Sequence, residues 1–174
     1  MENYTKTVLY AYPLLLTVGK DYEEHIKNKA LLSYESAQAT ENLIEYIAEE
    51  ILCKEKLEWL KKLIEDVLER LSDVERTLIS IRYFGKTGRI KYFLRLREKN
   101  SADKQFPKWS EREYFRRQQR LQEKVGAMLK AAGLSEEVYE RDFAKLDIFE
   151  KVDRFIAAGK DRHITDNERR WLRF

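Results

Sequence analysis

Apolar residues recur at spacings of three and four through the first 70 residues of the chain, and this periodicity constrains the fold more than any other feature. Such spacing places the apolar side chains on one face of an α-helix. The 174 residues include only two prolines and six glycines, so few residues interrupt these stretches. No segment of useful length alternates between apolar and polar residues as a strand would. The sequence therefore predicts an all-α, multi-helix protein with an N-terminal helical bundle.

Four helices are predicted in this N-terminal region, and Pro13 is expected to break or restart the first of them. The predicted ranges are 3–12, 13 or 20 to 34, 36–53 and 56–71. In the third helix, the apolar stripe expected to be buried is Leu43, Ile44, Ile47, Ala48 and Ile51. The acidic residues expected mostly on its solvent face are Glu41, Glu45, Glu49 and Glu50.

Capping boxes mark three later helix starts, because each has a serine or threonine followed three residues later by glutamate. The three pairs are Ser72 with Glu75, Ser110 with Glu113, and Thr165 with Glu168. The predicted elements are helices at 72–85, 86–99, 110–132, 135–159 and 165–174, with a loop at 100–108. Gly85 and Gly133 are expected to end two of these helices.

Charge is distributed unevenly along the chain. Residues 1–81 carry a net charge of −6, residues 82–124 a net charge of +9, and residues 125–174 none. A strongly basic block inside an otherwise acidic or neutral chain is typical of a protein that binds a polyanion.

The most informative segment of the basic block is 109–125, which follows the Ser110 cap. Tyr114, Leu121, Val125 and Met128 fall roughly on one face of the predicted helix, and the basic residues fall off that face. A helix N-terminus with a capping serine can hold a phosphate. In the major groove, Arg commonly contacts guanine and Gln adenine. The functional interpretation is a DNA recognition helix, and the structural alternative is a solvated basic face on a scaffold helix.

Two segments together resemble a known family. The stretch 71–84, Leu-Ser-Asp-Val-Glu-Arg-Thr-Leu-Ile-Ser-Ile-Arg-Tyr-Phe, and the stretch 109–125, which begins Trp-Ser-Glu-Arg-Glu-Tyr-Phe-Arg-Arg, resemble the C-terminal DNA-binding region of sigma-70-family factors. They look closest to the sigma-like regulators of Gram-positive bacteria and their phages. No segment resembles the promoter-melting region of that family, so we expect a sigma-like regulator rather than a complete sigma factor.

The resemblance implies a region-4-like helix-turn-helix in which Ser110 opens the recognition helix and contacts a phosphate. It further implies that Glu111, Arg112, Phe115 and Arg116 face bases, and that Arg117, Arg120 and Lys124 face the DNA backbone. Our candidate DNA-binding set also includes Lys108, Gln119, Lys86 and Arg89. The last two belong to the 86–99 segment, which either tracks phosphates or forms a solvated helix face.

The predicted organisation has three regions: an N-terminal scaffold or interaction region (1–70), the helix-turn-helix region (71–133) and a C-terminal helical region (134–174). The main functional prediction is a non-enzymatic regulator that binds double-stranded DNA. The alternative is a helical module that binds a protein partner through its acidic N-terminal helices. RNA polymerase and a second copy of the chain are candidate partners.

Other site classes have little support in the sequence. Cys53 is the only cysteine and is expected to be a buried small apolar residue, and His25 is expected to be a surface histidine. We predict no metal, no cofactor and no catalytic constellation, since no Gly-rich phosphate loop or nucleophile elbow occurs. The N-terminus lacks the pattern of a signal peptide, and no apolar run reaches the roughly 20 residues of a membrane span. We therefore expect a cytoplasmic protein without a membrane partner.

Overall fold

The computed structural model describes residues 3–36, 41–84 and 110–158 of the chain. Its elements are α1 (Asn3–Ser36), α2 (Glu41–Glu69), α3 (Asp73–Ile79), a π-helical segment (Ser80–Phe84), α4 (Glu111–Ala131), α5 (Glu136–Asp142) and α6 (Asp147–Ala157). Helix is the only regular secondary structure within these ranges, which confirms the all-α prediction. The helix predicted at 86–99, the loop at 100–108 and the helix predicted at 165–174 lie outside the described residues.

The predicted interruption at Pro13 is wrong, because α1 continues through this residue as one helix of 34 residues. A proline inside a helix removes one backbone hydrogen bond and strains the preceding turn. Here the helix is buried on both sides of that turn, with Leu9 and Ala11 before it and Leu15 and Val18 after it. Burial of these side chains offsets the local cost.

Two further boundaries also differ from prediction. The expected break between 53 and 56 is absent, and α2 runs unbroken from Glu41 to Glu69. The single helix expected from Ser135 to about 159 is instead two helices, α5 and α6, separated by residues 143–146. This turn lets both Phe143 and Phe149 enter the core, where their ring centroids lie 5.8 Å apart.

The core draws on all three predicted regions. Leu9 of α1, Leu60 of α2, Tyr83 of the π-helical segment, Leu129 of α4 and Phe149 of α6 are fully buried in one cluster. The helices α2, α4 and α6 and the π-helical segment all contact α1. The N-terminal half of α1 is therefore the central element of the fold.

Polar groups fix α1 to the C-terminal helices as well. The Tyr4 hydroxyl donates to the backbone carbonyl of Leu134 at 3.0 Å. The Thr7 hydroxyl donates to the Asp153 carboxylate, which also accepts from the Tyr139 hydroxyl at 3.2 Å. Burial and the nearby Asp153 charge raise the pKa of Tyr139, so this phenol stays protonated and remains a donor.

Beyond this core, α1 and α2 continue together as an antiparallel pair that we call the arm, defined as residues 19–31 and 43–56. No residue in either range is fully buried. The arm is held by polar contacts between its two helices, such as Cys53 Sγ to the Tyr22 hydroxyl at 3.4 Å and His25 Nδ1 to Glu50 at 3.2 Å.

Two smaller predictions concern the arm. The expectation for His25 is confirmed, because its side chain is 52 % exposed. Cys53 is half-buried rather than fully buried, since its thiol lies between the helices on the Tyr22 hydroxyl. In the described ranges, no helix combines the length and the apolar character that a membrane crossing requires.

Candidate nucleic-acid interface

The start of α4 is set by Ser110, as the sequence predicts, although only the serine half of the predicted capping box forms. The Ser110 side chain accepts a hydrogen bond from the backbone N–H of Glu113 at 3.3 Å and so caps the helix. The Glu113 carboxylate accepts two hydrogen bonds from Arg117, at 2.9 and 3.2 Å. At the other end, Gly133 has a φ of 106°, a backbone conformation that favours glycine. The predicted helix end near 132 is thereby confirmed.

One face of α4 is packed into the protein. Tyr114, Leu121 and Val125 are buried on this face and Met128 is partly buried, which confirms the predicted inward face. Close packing continues at Gly126, where a Cβ would lie only 3.0 Å from the Thr5 hydroxyl oxygen of α1. The orientation of α4 about its own axis is therefore fixed by the core.

Two buried glutamines help to hold this orientation. Gln118 is fully buried and donates from Nε2 to the Leu78 carbonyl at 2.9 Å and to the Tyr114 hydroxyl at 3.2 Å. Gln122 is also buried and accepts from the Tyr83 hydroxyl at 3.0 Å. These contacts join α4 to α3 and to the π-helical segment. The sequence signal for their burial is helical position, because Gln118 lies four residues after Tyr114 and Gln122 directly follows Leu121.

The opposite face of α4 carries three arginines at intervals of four residues. Arg112, Arg116 and Arg120 are all exposed, and Gln119 is exposed beside them. Arg116 lies about 180° around the helix axis from the buried face. Within the ranges that the structure describes, none of the three arginines forms an ion pair. Their charge is therefore available to an anion approaching from solvent.

Two other predicted contact residues are engaged within the protein. Arg117 is paired with Glu113 along α4 at 2.9 Å. Lys124 Nζ lies 2.7 Å from Glu75, the residue that completes the Ser72 capping box at the start of α3. Partial burial opposes ionisation of Glu75, yet the hydrogen bonds from Lys124 and from the Ser72 backbone hold the pKa of its carboxyl below the usual range.

The remaining predicted contact residues are either partly buried or outside the described part of the structure. Phe115 is half-buried and packs edge-on against Tyr114, with ring centroids 5.1 Å apart. Glu111 begins α4, and its side chain lies outside the described part of the structure. Lys108, Lys86 and Arg89 also lie outside it. The structure therefore brings Arg112, Arg116, Gln119 and Arg120 onto one exposed surface, which we call the arginine face.

Across 3–36, 41–84 and 110–158, no group of three His, Cys, Asp or Glu side chains is arranged to hold a metal ion. In comparisons with known proteins, no family model, no curated protein and no solved structure matches this chain.

Proposed function

We propose that the chain is a non-enzymatic, sequence-specific DNA-binding regulator of transcription that contacts duplex DNA through the arginine face of α4. The observation that carries the proposal is the separation of charges on this helix. Three arginines without ion pairs among the described residues occupy the face opposite the core, whereas Arg117 and Lys124 are paired beside it. An α-helix fits the major groove, and guanidinium groups there bind guanine edges and phosphates.

In the proposed complex, Arg112 and Arg116 contact bases and Arg120 contacts the backbone. Four-residue spacing separates successive Cα atoms by about 6 Å along the axis, so the three side chains span about two turns of α4. Gln119 lies beside them and has the donor and acceptor that adenine requires. The exposed N-terminus of α4 at Ser110 would approach a phosphate through its free backbone N–H groups.

The proposed architecture is a helix-turn-helix of the sigma region-4 type, with α3 as the supporting helix and α4 as the recognition helix. Support comes from the resemblance in 71–84 and 109–125 and from the contacts of α4 with Glu75, Leu78 and Tyr83. In such motifs the first helix braces the second against the groove. RNA polymerase and a second copy of the chain remain candidate partners of the DNA-bound regulator within this proposal.

The test is selection of binding sites from a random duplex library by the full chain at about 0.15 M salt, where exposed charges are substantially screened. We expect enrichment of a defined site and a fall in affinity with rising salt that reflects several phosphate contacts. Recovery of sequences without any shared motif would contradict sequence-specific recognition. Equal binding to single-stranded RNA of matched length would contradict the assignment to duplex DNA.

A further inference from the structure

The outer face of α2 carries apolar side chains that the described part of the chain leaves uncovered. We call this set the apolar ladder: Ile44, Ala48, Ile51, Leu52 and Trp59. Ile44 is 66 % exposed, Leu52 56 %, Trp59 43 % and Ile51 42 %. The prediction that the apolar stripe of this segment is a buried face is therefore wrong for Ile44, Ala48 and Ile51. They are exposed because α1 packs on a different side of α2, the side of Tyr46, Glu50 and Cys53.

The ladder has the geometry of a helix-packing surface. Successive members lie four, three, one and seven residues apart, which places them on one side of α2, with Trp59 about two turns beyond Leu52. From residue 44 to residue 59 the strip is about 22 Å long, which matches about four turns of a second helix. At its lower end, Trp59 is held in place by stacking on Phe143, with ring centroids 6.2 Å apart. A strip of this kind ordinarily contacts another helix.

Charge around the ladder indicates what kind of helix fits. Glu45 and Glu49 border the strip, and Glu55 lies within it between Leu52 and Trp59. All three are exposed, and none is ion-paired with another residue in the described ranges. A helix packed on the ladder would bring its flanking side chains close to these carboxylates, so cationic flanks would be favoured.

A second copy of α2 satisfies this requirement poorly. Between residues 43 and 59, α2 has only two cations, Lys54 and Lys56. Lys56 already pairs with Asp142 at 2.9 Å, and Lys54 lies 3.7 Å from Glu58 and 3.9 Å from Glu23. The α2 helix of a second copy would therefore supply carboxylates without free cations to match them.

We propose that the apolar ladder binds a basic amphipathic helix of another protein. The partner would place four or five apolar side chains on the strip and lysine or arginine on its flanks. The ladder lies on α2 and the arginine face on α4, so this proposal does not depend on DNA binding and fails or succeeds separately.

The experiment uses the full chain and two synthetic peptides of about 21 residues, a length of nearly six helical turns. Both carry leucine at positions that match the ladder, and their flanking residues are lysine in one and glutamate in the other. Fluorescence anisotropy of labelled peptide gives Kd. We expect the lysine peptide to bind at least about tenfold more tightly than the glutamate peptide. Equal binding, or no binding of the lysine peptide, would overturn the proposal.

Variants locate the binding surface. The double substitution Ile44→Gln and Leu52→Gln should raise Kd for the lysine peptide by about tenfold or more, because both side chains are exposed on the ladder. The matched control is Leu31→Gln on α1, which is 61 % exposed but outside the ladder, and should leave Kd unchanged. Exchanging Glu49 and Glu55 for lysine should reverse the preference between the peptides.

Analytical sedimentation of the chain without peptide tests whether a second copy of the chain binds the ladder instead. We expect a monomer at the concentrations used for anisotropy. A dimer that the Ile44→Gln and Leu52→Gln variant dissociates would overturn the proposal by assigning the ladder to a second copy. Circular dichroism of each variant shows whether helix content is retained, so that loss of binding is not confused with unfolding.

Discussion

At the residue scale, the cationic side chains of α4 differ in their contacts according to the face of the helix on which they lie. Arg112, Arg116 and Arg120 project from the face opposite the core, whereas Arg117 and Lys124 are held by carboxylates of the protein. A paired cation must give up its partner before it can bind a phosphate, and this lowers its net contribution. The position of a cation around the helix therefore decides, more than its charge alone, whether it can bind an external phosphate.

The first prediction separates base contacts from phosphate contacts on the arginine face. Substituting Arg112 and Arg116 together with alanine should remove most of the preference for the selected site, because base contacts carry specificity. Arg120→Ala should keep the preference but reduce the slope of log K against log salt by about 0.9, the value for one phosphate contact. Titrations at several salt concentrations measure both effects.

The control for these variants is Arg154→Ala on α6. Its side chain is 77 % exposed and, among the described residues, pairs with Glu150 of the same helix, so the substitution removes one positive charge away from α4. Lys124→Ala should weaken DNA binding less than Arg120→Ala, because Lys124 is paired with Glu75. If Arg154→Ala lost as much specificity as the double variant of Arg112 and Arg116, net charge, and not the arginine face, would determine binding.

A second residue-scale prediction concerns the contact between Gly126 and Thr5. Alanine at 126 would gain about 1 kcal/mol of helix propensity, but its Cβ would press on a buried threonine at 3.0 Å, and overpacking typically costs about 1–3 kcal/mol. We expect Gly126→Ala to destabilise the native chain by about 1 kcal/mol. In a Thr5→Ala background, the same substitution should stabilise by about 1 kcal/mol, because the obstructing side chain is gone.

Urea denaturation of the four proteins gives this coupling directly. Thr5→Ala alone should be well tolerated, because the Thr5 hydroxyl is buried without a hydrogen-bond partner among the described residues. Additive effects of the two substitutions would show that α1 and α4 adjust around the new methyl group.

Local sequence was sufficient to predict the caps, while the buried polar contacts required the fold. The caps at Ser72 and Ser110 depend on residues three positions away, so the pattern is visible in the chain itself. Gln118 and Gln122 depend instead on the Leu78 carbonyl and the Tyr83 hydroxyl, about 40 residues distant. Their helical spacing from Tyr114 and Leu121 indicates the buried side of α4, but no local pattern identifies the groups to which they bond.

At the element scale, α2 and α5 are linked by an ion pair that should respond to acid. Hydrogen bonds from Arg141 and from Lys56 of α2 lower the pKa of the Asp142 carboxyl to about 2, from an ordinary value of 3.8. A carboxyl whose pKa is lower in the folded state stabilises the fold above its unfolded pKa, and this contribution is lost as the pH falls through the folded value. The relevant window is therefore about pH 4 down to about pH 2.

The third prediction follows from this window. Asp142→Asn should lower the urea midpoint at about pH 6, and its difference from the native chain should shrink steadily as the pH approaches 2. The matched control is Asp147→Asn, since the partner of Asp147 in the described ranges is Lys151 of the same helix, and the Asp147 side chain is 73 % exposed. A difference between native and Asp142→Asn proteins that stays constant with pH would contradict the role of the charged pair.

Element type was predictable, but element boundaries were not. Apolar periodicity correctly indicated helix as the element type, although it gave the wrong buried face at Ile44 and Ile51 of α2. Pro13 gave a false break because burial of Leu9, Ala11 and Leu15 outweighs the local penalty. The real break at 143–146 has no glycine or proline to mark it, and it exists because Phe143 and Phe149 pack together.

At the scale of the whole molecule, stability should differ between the core and the arm. The arm has no fully buried residue, while Leu57, Leu60 and Ile64 further along α2 are buried. Segments with few buried apolar contacts open at lower free energy than core segments. The fourth prediction is that amides in 43–56 exchange with deuterium faster than those in 57–69, although both belong to one helix. Uniform protection along α2 would contradict this division.

The uninterrupted course of α2 also has a consequence for geometry. It leads from the apolar ladder directly into the core beside α4, without a hinge residue between Leu52 and Leu57. One extra residue there would turn Ile44 to Leu52 by about 100° relative to Trp59 and the core and advance them by about 1.5 Å, while seven extra residues would restore their direction almost two turns farther out. The unbroken helix thus fixes both the distance and the rotation of Ile44 to Leu52 relative to the core. In the proposed complexes, a helix bound along Ile44 to Leu52 and a DNA duplex bound to α4 would therefore be held at one distance and one angle.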